Sequence, residues 1–171
     1  IKYCKVLSFN YTNTYERLYL DKQQIQNSID YIHGKAKLFN TVENNNMVLG
    51  IDEYLTDERK DRETEFIAFK KFYQRIYKET GCKYKDWVET IREEYDDFLQ
   101  EKERIINRAN EYVGNDVQRM MHRLQASAVR DQKCKMHNVY IFGHSLDITD
   151  KDILRELILN ENVYTTIFYL N

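Results

Sequence analysis

The fourteen residues Val139-Tyr-Ile-Phe-Gly-His-Ser-Leu-Asp-Ile-Thr-Asp-Lys-Asp152 change character twice. Four residues of buried-strand type run into Gly143, a cluster of small polar groups follows, and an amphipathic segment takes over. That is a strand, a tight turn and a helix start. Such a junction gathers backbone N–H groups at a helix N-terminus, where phosphates and oxyanions bind. It also restricts the fold, because strand, turn and helix repeated along a chain give parallel strands joined by right-handed crossovers. Three readings of the turn compete: a catalytic serine elbow, a nucleotide-binding turn and plain structural punctuation.

The same order recurs upstream. Tyr3–Phe9 is rich in β-branched and aromatic residues and reads as a strand. Asn10-Tyr-Thr-Asn-Thr14 supplies a polar turn with N-cap candidates, and Tyr15, Leu18 and Tyr19 begin a helical period. Ile29–His33 is a second strand, ended by Gly34, and Met47–Ile51 a third after the turn Asn44-Asn45-Asn46. Val163–Tyr169 is the last, after a helix whose apolar face is Ile153, Leu154, Leu157 and Ile158 and whose start carries Thr149 and Asp152 at capping-box spacing. From Asp57 to about Lys135 the period becomes helical. Phe66, Phe69, Tyr73, Ile76 and Tyr77 share one face, then Trp87, Ile91, Tyr95 and Phe98, then Val117, Met120, Met121 and Leu124 after a break at Gly114-Asn115-Asp116. No proline interrupts any of it. Residues 1–171 therefore read as one α/β domain with a parallel sheet and a helical insertion at 57–135. Both ends look cut, at Ile1 and at Asn171, as in a piece of a longer protein.

Composition narrows the partners. A hydrophobic fraction of 42% with 13% aromatics argues against disorder. A net charge of −2 gives no global case for nucleic acid or an anionic membrane, and the tyrosines beside basic groups near Lys78–Lys85 are interleaved with acids, as on solvated helix faces. No apolar run approaches the roughly 18 residues of a membrane span. Cys4, Cys82 and Cys134 are scattered, and read as free thiols in a reducing compartment, which places the chain in the cytoplasm. His122 and His137 lack metal-ligand spacing with a cysteine or carboxylate, so no metal is expected.

Gly143-His144-Ser145-Leu146-Asp147 matches the start of the G-x-S-x-G elbow, but Asp147 occupies the final glycine position and no histidine follows His144. That argues against a serine nucleophile. His33 and Asn10 both end strands. In a parallel sheet they and the Ser145 turn would open onto one crevice, where such folds bind ligands. Three strand-end polar clusters, Asn10-Tyr11-Thr12, His33-Gly34 and Gly143–Asp147, would then form a single site.

Leu7–Tyr15, Tyr31–Ala36, Asn46–Glu53 and Tyr140–Asp147 together resemble the bacterial AbiH family, named for phage abortive infection. The resemblance runs in order from about Val6 to Tyr169, with about Tyr84 to His137 unmatched. It implies a Rossmann-like parallel sheet carrying the helical insertion. The same skeleton is distantly similar to sirtuin-like NAD-cleaving defence domains. By position, Asn10 and His33 would be the catalytic pair, Asn10 placing water or ribose and His33 acting as base or ribose contact. Tyr11, Thr12, Gly34, Gly143, Ser145, Asp147 and Asp150 would contact the nucleotide, with NAD as substrate and no metal. Thr12 stands where the sirtuin-like pattern has aspartate, and the family's G-N-G-F-D phosphate loop would lie before Ile1. The competing expectation is a non-enzymatic sensor whose helical insertion engages a phage or host protein. Homo-oligomers are open to either.

Overall fold

The structure, a computed structural model, describes residues 5–19, 29–50, 69–146 and 150–168. The chain divides into two compact units, Ile1–Asp86 with Leu146–Lys151, and Trp87–Ser145 with Asp152–Asn171.

In the first unit, β1 (Val6–Ser8) and β2 (Ile29–Tyr31) pair in parallel, with α1 (Thr14–Tyr19) between them in sequence. Val6 faces Ile29 and Ser8 faces Tyr31, and the Ile32 N–H extends the pairing to the Ser8 carbonyl at 2.9 Å. Ile29, Ile32 and Val48 are buried beside this pair. A short helix, α2 (Lys71–Tyr77), is followed by a turn that lies against β2, where Thr80 Oγ1 donates to the Tyr31 carbonyl at 3.2 Å. Asp30 is buried, and its Oδ2 accepts the Tyr84 N–H at 2.9 Å. Tyr84 sits in the first turn of α3 (Lys83–Glu111), so a strand residue satisfies one of the helix's orphan donors.

In the second unit, β3 (His137–Phe142) and β4 (Val163–Phe168) pair in parallel over six residues, from His137 opposite Val163 to Phe142 opposite Phe168. The crossover contains α5 (Lys151–Ile158), which buries Ile153 and Leu154. Alternation decides the faces of β3. Ile141 is buried, while Tyr140 and Phe142 are exposed, Phe142 stacking on Phe168 at 4.3 Å. Asn162 is fully buried, and its Nδ2 donates to the Ile91 carbonyl of α3 at 2.8 Å. After α3 the chain turns back into α4 (Asp116–Arg130), capped by the Asn115 side chain, which accepts the Gln118 N–H. Lys102 Nζ on α3 donates to the Arg130 carbonyl at the far end of α4 (2.7 Å), so the two helices run antiparallel.

The expected mixed α/β class with parallel strands is present. Among the described residues the strands form two two-stranded sheets. Helices α2, α3 and α4 fall inside the expected insertion, while residues 57–68, Thr149 and Asp147 lie outside the described residues. Two local expectations need correction. Residues 47–50 are not a strand, because their backbone bonds to a turn and a helix: Val48 N–H donates to the His33 carbonyl (2.8 Å) and Leu49 N–H to Gln74 Oε1 (3.1 Å). In α2 the aromatic stripe is not the buried face. Tyr73, Ile76 and Tyr77 are exposed and Arg75 is buried.

Candidate functional site

His33 follows β2 directly, so strand pairing fixes where its backbone leaves the sheet. Gly34 N–H closes a turn onto the Tyr31 carbonyl at 3.0 Å, and Gly34 has φ +77°, in the left-handed region. A Cβ there would also overlap the Asn46 carbonyl. Only glycine meets both demands. The close approach lets residues 46–48 brace the turn: Lys35 N–H donates to Asn46 Oδ1 at 3.2 Å, and the Tyr11 hydroxyl donates to the Val48 carbonyl at 2.6 Å.

The His33 side chain is 5% exposed. Its Nε2 lies 3.1 Å from Oδ1 of Asp150, whose carboxylate is also buried, and Lys71 Nζ lies 3.7 Å from the same oxygen. Phe9 meets the imidazole edge-on at 5.8 Å between centroids, and the Tyr11 ring lies at 6.3 Å. Burial first, and then the Asp150 charge, hold the Tyr11 hydroxyl above its ordinary pKa. Beside β2, the Tyr31 hydroxyl is pushed up to about 12 by burial and by the Glu16 carboxylate it bonds. The contact places a carboxylate beside the Nε2 edge of the ring. His33 Nδ1 is buried and has no hydrogen-bond partner among the described residues. The arrangement is a buried imidazole with a carboxylate beside Nε2 and an unpartnered Nδ1 in aromatic surroundings.

Of the sequence candidates, His33, Gly34, Tyr11 and Asp150 are brought together. Asp150 is found on the imidazole, a role the sequence reading did not give it. Asn10 is exposed at the end of β1, its N–H on Ser8 Oγ at 3.3 Å, and Thr12 is exposed with Oγ1 3.1 Å from Thr14 Oγ1. Gly143 and Ser145 belong to the second unit and are exposed; Gly143 has φ +60°. Among the described residues no group of three or more His, Cys, Asp or Glu side chains is placed to hold a metal.

Lys71 and Phe9 escaped the sequence reading. Lys71, Gln74 and Lys78 recur at i, i+3 and i+7 along α2 and beyond it. They meet Asp150, the Leu49 N–H and the Met47 carbonyl respectively. A polar stripe at helical spacing was the available signal. It marks a helix face that serves a loop, whose backbone groups need partners once buried.

Compared with known proteins, the chain matches the family model described as bacteriophage abortive infection AbiH over residues 1–170. No curated protein and no solved structure matches it.

Proposed function

The chain belongs to the bacteriophage abortive infection AbiH family, and from that premise we propose that it defends against phage by hydrolysing the nicotinamide–ribose bond of NAD or a related nucleotide at a sirtuin-like, Rossmann-type site around His33. The observation that carries the reading is His33 Nδ1, a buried ring nitrogen without a hydrogen-bond partner among the described residues, on a ring whose Nε2 lies 3.1 Å from Asp150. Leaving a buried polar atom unpaired costs about 1–3 kcal/mol. A general base needs a ring nitrogen that no other group occupies. In the reaction, water adds to C1′ of the ribose and its proton passes to Nδ1. The C1′–N bond breaks, and its electron pair leaves with nicotinamide. Asp150 stabilises the imidazolium that forms. Asn10 positions the water or ribose, and Tyr11, Thr12 and Gly34 line the nucleotide. Burial of His33 suits an enzyme that is silent until infection opens it.

The competing reading is a sensor that binds a nucleotide without turnover, its helices engaging a phage or host protein. It draws on the same burial, which keeps substrate from Nδ1. The discriminating experiment follows NAD in cells expressing the full-length protein, with and without infection. Enzyme action predicts NAD loss on infection that His33→Ala abolishes together with protection. Constant NAD, with His33→Ala still protecting, leaves the sensor.

A further inference from the structure

Helix α4 is oriented against its own amphipathicity. Ala126 is buried and Arg119, His122 and Val129 are half-buried, so this side faces inward, with the His122 ring 4.6 Å from Tyr112 of the loop before it. Val117, Met120, Met121 and Leu124 are 58–72% exposed. At 3.6 residues per turn these four form one stripe, and it points away from the buried side. Every residue of α4 is described, so the exposure belongs to the helix itself.

The stripe is self-complementary. About a point between Met120 and Met121, reversal of the helix brings Val117 onto Leu124 and Met120 onto Met121. Its borders match as well. Asp116 and Arg123 are two turns apart on one edge, and Gln118 and Gln125 are two turns apart on the other. Between antiparallel helices like edges meet. Asp116 of one copy therefore meets Arg123 of the other, twice by symmetry, and Gln118 meets Gln125. The Asp116 carboxylate already touches Arg119 Nη1 at 3.1 Å but is 94% exposed, and such a surface contact holds it weakly.

We propose that α4 is a self-association surface, through which two copies of the chain form a two-fold dimer with their α4 helices packed antiparallel. An isologous contact of this kind closes at two copies. One helix face per copy is small beside standard interfaces, so the dimer dissociates on the order of micromolar concentrations.

The test is sedimentation velocity on the full-length chain over a range of concentration, with circular dichroism confirming that each variant keeps its helices. Met121→Glu should leave only monomer. Asp116→Arg and Arg123→Asp should each weaken the dimer about tenfold, and the double swap should return it to within about threefold of wild type. A monomer up to on the order of 100 μM overturns the proposal, and so does a dimer indifferent to Met121→Glu. Single swaps that weaken the dimer without recovery in the double overturn the antiparallel register. A chain that stays monomeric yet binds phosphatidylglycerol vesicles through this stripe assigns the face to a membrane instead.

Discussion

At the scale of the residue, the site depends on groups that have no good substitute. His33 requires its strand-end position, Asp150 requires its charge, and Gly34 requires both its positive φ and its missing Cβ. Gly34→Ala combines left-handed strain with overlap on a backbone carbonyl, which cannot rotate aside as a side chain could. It should destabilise the protein by at least about 2 kcal/mol, read from the urea midpoint. An unchanged midpoint would mean that the loop at Asn46 yields freely and does not brace His33. His33-Gly34 was legible in the sequence because a strand ending in histidine and glycine advertises a turn. The association of His33 with Asp150 was not legible, since nothing local to either residue encodes a contact across 117 positions. Lys71 was one of 26 basic residues without a distinguishing neighbour.

Among the elements, strands and long helices follow from residue pattern, and the exceptions share a cause. Residues 47–50 have the composition of a strand and α2 carries an aromatic stripe, yet each is positioned by backbone groups seeking partners around His33. Hydrophobic pattern reports burial and is silent on such debts. Asp30 shows the same logic at β2, where a carboxylate in a strand core caps α3. Asp30→Ala, which orphans the Tyr84 N–H, should cost about 1–2 kcal/mol, while Asp30→Asn keeps an acceptor and should cost far less. Burial raises the Asp30 pKa, and the Tyr84 N–H, Lys83 and the Tyr31 N–H reverse this only in part. A carboxyl that holds its proton more tightly when folded contributes stability below its unfolded pKa, and that contribution is lost as pH rises through the folded value. Asp30→Asn removes the titration. Its stability should therefore fall less than that of wild type as pH rises across this window, as equilibrium unfolding at successive pH values would reveal. Parallel curves would place the proton elsewhere.

Taken as a whole, the molecule is threaded so that neither compact unit is a continuous piece of chain. The polypeptide leaves the first unit after Asp86, returns for Leu146–Lys151 alone, and leaves again at Asp152. Those six residues carry Asp150, so the site waits on a segment tethered at both ends to the other unit. Within the first unit, the Asp150 carboxylate against His33 and Lys71 helps to fasten the segment. Losing a buried polar partner costs about 1–3 kcal/mol. Asp150→Ala should therefore weaken the first unit by about that much and the second by much less. The two can be read separately. The single tryptophan, Trp87, belongs to the second unit and reports it by fluorescence, while exchange of the Val48 N–H, bonded to the His33 carbonyl, reports the first. The expected result is a large loss of Val48 protection with a small displacement of the Trp87 transition. Equal displacement of both would show that the units unfold as one and that the segment is not a clasp. Retained Val48 protection would show that His33 is held by its loop alone. In that case the carboxylate behind the imidazole bears on chemistry rather than on folding.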